Sequence, residues 1–276
     1  MKHTHKETLV ILGWTIFSMI FGLFLYGLVP QQELEGFSQV ELLLAILVMV
    51  GVGAVFWYLI LKLKKKNIVT LTYSFGMGLL FSSVVDALNI FTNAIMARLI
   101  VLVGMFAGYY WFIRFMQMSA WKDIQWKLQL NNFIMLVAMS FVAIQIGKSL
   151  KPSIAVLLFF VVAIYDALAV WKLGTMQDMA RKFLDNFVIP GIAYAKKRKN
   201  TFAILGGGDI FFLLLVPAAL ASISTRLAIG SALGMFLAIV VLFYISQKKV
   251  FYPALPFMFV GLLGALVAYA LQLFLF

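Results

Sequence analysis

Long apolar runs separated by short polar segments follow one another along the whole chain. Each run has about the 20 residues that an α-helix needs to cross the hydrocarbon core of a bilayer. The pattern predicts an all-α, polytopic membrane protein with nine membrane-spanning helices. The expected spans are residues 9–29, 42–61, 68–91, 95–115, 130–147, 152–171, 201–221, 227–246 and 253–276.

Composition strengthens this prediction. Hydrophobic residues make up 64% of the 276 residues and charged residues only 12%, with a mean hydropathy of +1.05. A water-soluble core of this size cannot bury so much apolar surface. We therefore expect one membrane domain over residues 1–276, with the lipid bilayer as its surroundings and no soluble domain of ordinary size.

The formal charge of +12 lies in the segments between the apolar runs. There, basic residues set topology and meet anionic headgroups, so a nucleic-acid partner is not expected. In the nine-span plan, 18 of the 22 Lys and Arg residues fall on one side of the membrane. The excess of positive charge on the cytoplasmic side predicts a cytoplasmic amino terminus and a carboxyl terminus on the outer face.

The residue inventory excludes several kinds of reaction centre. The chain has no cysteine, which excludes a disulfide framework, a thiol nucleophile and a thiolate metal site. Its only histidines, His3 and His5, lie in the amino-terminal tail. A serine–histidine pair or an HExxH zinc site within the membrane is therefore unavailable. No metal and no cofactor are expected.

The longest loop, residues 172–199, contains an amphipathic pattern. Four large apolar residues recur at helical spacing, with charged residues between them, which predicts a short helix in the cytoplasmic interface. We favour a surface anchor over a gate for this helix. The apolar residues are Met176, Met179, Phe183 and Phe187.

Three carboxylates fall inside predicted spans: Asp86, Asp166 and Asp209. A carboxylate in hydrocarbon is costly unless it is paired, protonated or hydrated, so each is a candidate functional residue. At 1.5 Å per residue, Asp166 and Asp209 both lie on the order of 10 Å below the cytoplasmic surface. Asp86 lies on the order of 27 Å from it. The topology therefore pairs Asp166 with Asp209, and Asp86 is expected near the outer interface, where Arg98 is a candidate partner.

Two neighbouring carboxyl groups in a low-dielectric site cannot both ionise, so they share a proton. One then serves as a base that activates water, while the other donates a proton to a carbonyl oxygen. The soluble aspartic proteases use a pair of aspartates in this way. Such chemistry needs neither a metal nor a covalent intermediate.

Two further segments lie near this pair. Gly206, Gly207 and Gly208 precede Asp209, although each glycine costs a helix roughly 1 kcal/mol relative to alanine. Close helix packing or a loosened backbone would explain them. The ninth span opens with two prolines three residues apart, which predicts an irregular stretch with backbone groups that need partners. A loop that ends before the span is the alternative.

Three motifs now occur in order on the sixth, seventh and ninth spans: Tyr165-Asp166, Gly206-x-Gly208-Asp209 and Pro253-Ala254-Leu255. Together they resemble the YD, GxGD and PAL motifs of the presenilin and signal peptide peptidase family. Within that family, the cytoplasmic amino terminus and the short loop are similar to compact, especially archaeal, presenilin homologues.

The resemblance implies an intramembrane aspartyl protease that cleaves transmembrane segments of membrane proteins. Asp166 and Asp209 would be catalytic, while Tyr165, Gly206 to Gly208 and Pro253 to Leu255 would shape the site and bind substrate. Residues 1–150 would form a scaffold part of five to six helices, and residues 152–276 the catalytic part. No obligatory accessory subunit is expected, and self-association into a homo-oligomer stays open.

Two other functions remain as alternatives. An ion-coupled secondary transporter or a channel also uses membrane carboxylates and broken helices. This alternative gives the Pro253–Leu255 segment no role. The second alternative is an inactive relative that binds or escorts membrane proteins, although both aspartates are intact.

Overall fold

The computed structural model describes residues 5–29, 95–117, 124–172, 189–196, 201–246 and 252–275, together with positions 44, 70, 73, 74 and 76–78. These residues form seven helices and one β-hairpin. In chain order the elements are α1 (His5–Leu28), α2 (Ile95–Gln117), α3 (Ile124–Ser149), α4 (Pro152–Trp171), β1 (Gly191–Lys196), β2 (Thr201–Gly206), α5 (Gly207–Leu220), α6 (Thr225–Ile245) and α7 (Ala254–Leu275).

Five of these helices, α1, α3, α4, α6 and α7, are long and apolar enough to cross a membrane, so the chain is an integral membrane protein. Helix α5 is apolar but has only 14 residues. The predicted spans 42–61 and 68–91, Asp86 and the expected amphipathic helix at 176–187 fall outside the residues that the structure describes, apart from the isolated positions. The count of nine spans therefore stays a prediction.

The prediction for α4 is confirmed to the residue, from Pro152 to Trp171. Proline suits the first position of a helix, because its missing N–H would have no partner there. The prediction for α3 was too short at its start, since the helix begins at Ile124 and not at residue 130. The buried side chains of Asn131 and Asn132 donate hydrogen bonds to carbonyl oxygens of strand β1, so their polarity does not end the helix.

The prediction of a helix over residues 201–221 was wrong at its start. Residues Thr201–Gly206 form β2, which pairs antiparallel with β1, and the helix begins only at Gly207. In the register, Gly191 is opposite Gly206 and Lys196 is opposite Thr201. The described residues are otherwise helical, so the predicted all-α class holds with this one β-hairpin added before α5.

Local chemistry explains the strand. The three glycines at 206–208 weaken the helix at its start, which disfavours its extension back into the preceding segment, and Thr201, Phe202 and Ile204 in that segment favour extended backbone. The partner strand satisfies the backbone groups along one edge of β2, which a helix would otherwise satisfy internally. The hydrogen-bond ladder even continues past the hairpin, because the Gly207 N–H donates to the Pro190 carbonyl oxygen at 2.8 Å.

One hydrophobic core joins α1, α3, α4, α5, α6, α7 and the hairpin. Phe159 of α4 is fully buried at its centre. Its ring stacks on Phe212 of α5 with 5.2 Å between centroids, and meets Phe259 of α7 edge-on at 5.6 Å. Helices α6 and α7 approach closely where Gly234 and Gly261 face each other, since a side chain on either would collide with the other's backbone.

Candidate active site

Asp166 lies in the second half of α4 with its side chain turned inward. Only 8% of the residue is exposed. Its Oδ2 atom accepts a hydrogen bond from the backbone N–H of Leu255, at 3.3 Å. Leu255 is the second residue of α7, so Asp166 bonds to one of the N–H groups that a helix cannot satisfy internally. The first turn of one helix thus holds the carboxyl group of another.

Asp209 is the third residue of α5 and is half-buried. Its Oδ2 atom accepts a hydrogen bond from the backbone N–H of Gly206 at 3.0 Å. Gly206 is the last residue of β2 and has extended backbone angles, φ −63° and ψ 148°. An acidic side chain that reaches back in this way is one half of a capping box. The carboxyl group therefore marks the junction between strand and helix.

The two carboxyl groups interact electrostatically. Each also lies at the amino-terminal end of a helix, Asp166 at α7 and Asp209 at α5. The partial positive charge of a helix amino terminus favours a nearby anion. A pair of carboxyl groups that shares one proton carries a single negative charge. The arrangement is suited to hold that charge away from bulk water.

The three glycines before helix α5 differ in their surroundings. A Cβ atom on Gly206 would lie 3.1 Å from Oδ2 of Asp209. A Cβ atom on Gly207 would lie 3.1 Å from the carbonyl oxygen of Pro190 and 3.2 Å from Cε of Met139. Gly208 is exposed, and a Cβ atom there would meet nothing within 4 Å. The first two glycines permit close packing, and the third leaves open space beside Asp209.

The Pro253-Ala254-Leu255 segment is buried throughout. The expectation of an irregular stretch between the two prolines was wrong, because α7 begins at Ala254 and contains Pro256 in its first turn. A proline there forfeits no intrahelical hydrogen bond. The segment was also expected to contain backbone groups that need partners near the carboxyl pair. One such group is the Leu255 N–H, whose partner is Asp166.

Tyr165 is adjacent to Asp166 in the sequence but lies on another side of α4, with 43% of its surface exposed. The structure therefore brings together Asp166, Asp209, Gly206 and Leu255, while Tyr165 is directed away from the buried face. Asp86 lies outside the described residues.

Helix α3 contributes polar side chains to this region, which the predicted spans did not indicate. The carboxamide of Asn132 bonds to both backbone groups of Ala193 in β1. Asn131 and Gln125 bond to other carbonyl groups of the same segment. The sequence signal is the pair of adjacent asparagines, Asn131 and Asn132, at the start of the apolar run at 130–147.

No protein-family model matches the chain, and no curated protein matches its sequence. Solved structures do match. The structure of a presenilin family intramembrane aspartate protease in a P2 crystal superposes with a TM-score of 0.60 at 18% sequence identity, covering 95% of this chain and 96% of that one. The structure in a C222 crystal gives a TM-score of 0.59 at 17% identity and the same coverage. The chain has the presenilin-family fold.

The presenilin-family fold extends over nearly the whole chain, so the resemblance inferred from three short motifs is confirmed at the level of the fold. Because the two sequences agree at fewer than one position in five, the similarity alone does not transfer the role of any residue.

Proposed function

We propose that the protein is an intramembrane aspartyl protease with Asp166 and Asp209 as its catalytic pair. The observation that carries this proposal is the electrostatic interaction of two carboxyl groups on neighbouring helices, each of which accepts a hydrogen bond from a backbone N–H at a helix amino terminus. The presenilin-family fold supports the same reaction class. Neither Tyr165 nor Asp86 is needed for the hydrolytic step.

The reaction requires one protonated and one ionised carboxyl group. The ionised member removes a proton from water as the water oxygen attacks the carbonyl carbon of a peptide bond. The protonated member donates its proton to the carbonyl oxygen. The carboxyl group that took the proton from water then gives it to the amide nitrogen, while the other, now ionised, takes a proton from a hydroxyl of the tetrahedral intermediate. The C–N bond breaks, which yields a carboxylic acid and an amine. The carboxyl pair ends in its starting protonation state.

The substrate would be a transmembrane segment of another membrane protein, partly unwound into an extended strand. Strand β2 offers a template for it. The backbone N–H and C=O of Ala193 in β1 point away from β2. Ile204 is opposite Ala193 in the register, so its backbone groups point away from β1, and those of Phe202, two residues earlier, do the same. An added strand would bond to these groups, and β2 then leads directly to Asp209. Main-chain pairing of this kind gives affinity with loose sequence preference.

The remaining motif residues would shape the cleft. Gly208 leaves room next to Asp209 for the substrate backbone. Pro253, Ala254 and Leu255 form the buried start of α7 against Asp166, and Leu255 holds the carboxyl group directly. The cleaved bond would fall in the cytoplasmic third of the substrate.

The decisive experiment is cleavage of a labelled single-span substrate by the purified protein in detergent and in liposomes. Asp166→Asn and Asp209→Asn should each lower cleavage by about 10³-fold or more, because each removes an acid–base group. Asp86→Asn is the matched control and should retain cleavage. Cleavage that persists in either of these two variants would refute the catalytic assignment. Ion flux without cleavage would favour the transporter or channel alternative.

The same preparation tests the expected independence from accessory subunits. The chain purified alone should cleave, since the proposed site is built entirely from its own residues. A requirement for a second polypeptide would contradict this part of the proposal. Size measurement of the active species in detergent would decide between a monomer and a homo-oligomer.

The proposed topology has nine spans, a cytoplasmic amino terminus and an outer carboxyl terminus. The absence of cysteine makes it directly testable, because single-cysteine variants have no background. Glu33→Cys should react with a membrane-impermeant maleimide from the outer face of intact cells, whereas Lys65→Cys should react only after the membrane is opened. Labelling of both positions from the same side would contradict the plan.

A further inference from the structure

Polar side chains of α3 line the outer edge of strand β1. The Asn132 Nδ2 atom donates to the Ala193 carbonyl oxygen at 2.9 Å, and the Ala193 N–H donates to Asn132 Oδ1 at 2.8 Å. The Asn131 Nδ2 atom lies 3.3 Å from the Ile189 carbonyl oxygen, and Gln125 donates to the Ala195 carbonyl oxygen. Side chains of a helix therefore occupy the positions that another strand would fill.

Asn132 makes the most complete of these contacts. The residue is fully buried, and its carboxamide presents one donor and one acceptor to Ala193, as a peptide group of a neighbouring strand would. A second strand cannot add to β1 at this position, because both backbone groups of Ala193 already have partners. The hairpin is thus closed along β1, whereas the outward backbone groups of Phe202 and Ile204 in β2 have no hydrogen-bond partner among the described residues.

The same contact is connected to the carboxyl pair. The hairpin ladder continues from β1 through Pro190, whose carbonyl oxygen accepts from the Gly207 N–H at 2.8 Å. Gly207 is the first residue of α5, two residues before Asp209. A shift of β1 along α3 would therefore move the start of α5, and with it both the open strand edge and Asp209.

We propose that Asn132 is a positioning residue, whose carboxamide fixes the hairpin on α3 so that substrate adds only to β2 and in one register relative to Asp209. This inference rests on the proposed protease function. It differs from a purely structural role in a measurable way: it predicts that Asn132 controls which peptide bond is cleaved, as well as how much protein is folded.

The test compares the products of Asn132→Leu and Asn132→Ser with those of the wild type by mass spectrometry, with one defined substrate. Loss of the two buried hydrogen bonds should lower kcat/KM by about tenfold and add products displaced along the substrate. Ser140→Ala is the matched control, a second buried polar residue of α3, whose hydroxyl has no hydrogen-bond partner in the described part of the chain. It should give the wild-type products.

The outcomes separate this inference from the proposed function. If the wild type does not cleave, the proposed function fails. If the wild type cleaves and folded Asn132 variants give the wild-type product set, the positioning role is overturned, even if less enzyme is active. The same products at reduced yield would show an effect on folding alone.

A measurement on the wild type covers the case in which neither variant folds. Amide hydrogen exchange should be slow at Ala193, whose N–H bonds to Asn132, and faster at Ile204 on the open edge. Addition of a non-cleavable substrate peptide should slow exchange at Ile204. Equal exchange at the two amides would overturn the inference without any substitution.

Discussion

The two aspartates of the candidate site are held in opposite ways. Asp166 projects from the interior of a long helix, and its backbone donor, Leu255, lies 89 residues away in the sequence. Asp209 lies in the first turn of a short helix, and its donor, Gly206, is three residues away. One carboxyl group is positioned by helix packing, and the other by a local turn.

The contrast indicates which changes should disturb each half of the pair. Asp166 stays in place as long as α4 and α7 remain packed, a contact that includes the rings of Phe159 and Phe259. Asp209 depends on the junction of β2 with α5, and on the hairpin that holds this junction on α3. Packing substitutions should therefore act on the Asp166 side, and glycine substitutions on the Asp209 side.

The largest effect is expected for Phe159→Ala. The ring is fully buried and contacts both α5 and α7, so its removal leaves a cavity where three helices meet. We expect a loss of about 3 kcal/mol in unfolding free energy, with cleavage falling in parallel. Thermal unfolding in detergent measures the first and the substrate assay the second.

Ile164→Ala is the matched control on the same helix, because Ile164 is 46% exposed and faces outward. It should leave the unfolding temperature nearly unchanged. If Phe159→Ala is as stable as Ile164→Ala, the packing of α4 does not hold Asp166 in the way described.

An intermediate effect is expected for Gly207→Ala. The added methyl group would lie 3.1 Å from the Pro190 carbonyl oxygen, the same atom to which the Gly207 N–H donates. Overpacking at such a site costs about 1–3 kcal/mol. Gly208→Ala is the control for stability, since its methyl group would enter open space. A lower unfolding temperature for Gly208→Ala than for Gly207→Ala would contradict the described packing.

The difference between the two halves also explains what the sequence could predict. Helix α4 is a single apolar run that begins with a proline, so its bounds and the position of Asp166 follow from local pattern alone. The pairing of Asp166 with Asp209 followed from topology, and the three motifs indicated the fold. These features can be predicted from short segments of sequence or from the alternation of charge between the two sides of the membrane.

The hairpin could not be predicted in the same way. Residues Thr201–Gly206 are mostly apolar and continue without a break into helix α5, so the apolar run concealed the change from strand to helix. Strand β2 pairs with Gly191–Lys196, and that strand is held in turn by Asn132, which precedes Ala193 by 61 positions. Hydrogen bonds between such distant segments leave no periodic signal, although the adjacent asparagines and the triple glycine were visible.

The smallest change in stability is expected for Gly206→Ala, which tests the Asp209 half directly. The backbone angles of Gly206 suit alanine, so the substitution brings no backbone strain. The new methyl group would lie 3.1 Å from Oδ2 of Asp209, closer than an ordinary contact, so the carboxyl group must shift to make room for it. We therefore expect an unchanged unfolding temperature and a fall in kcat of about tenfold, the order of loss from misplacing a general acid or base.

Gly264→Ala serves as the control for Gly206→Ala, because a Cβ atom at this helical glycine of α7 meets nothing within 4 Å. Its activity should match that of the wild type, and its unfolding free energy should be equal or higher by up to about 1 kcal/mol. Substrate affinity offers the sharper distinction: if Gly206→Ala raised KM and left kcat intact, the methyl group would be obstructing the path of the substrate strand and not the carboxyl group. That result would transfer the role of Gly206 from holding Asp209 to admitting substrate, and the local turn would no longer account for the position of the second aspartate.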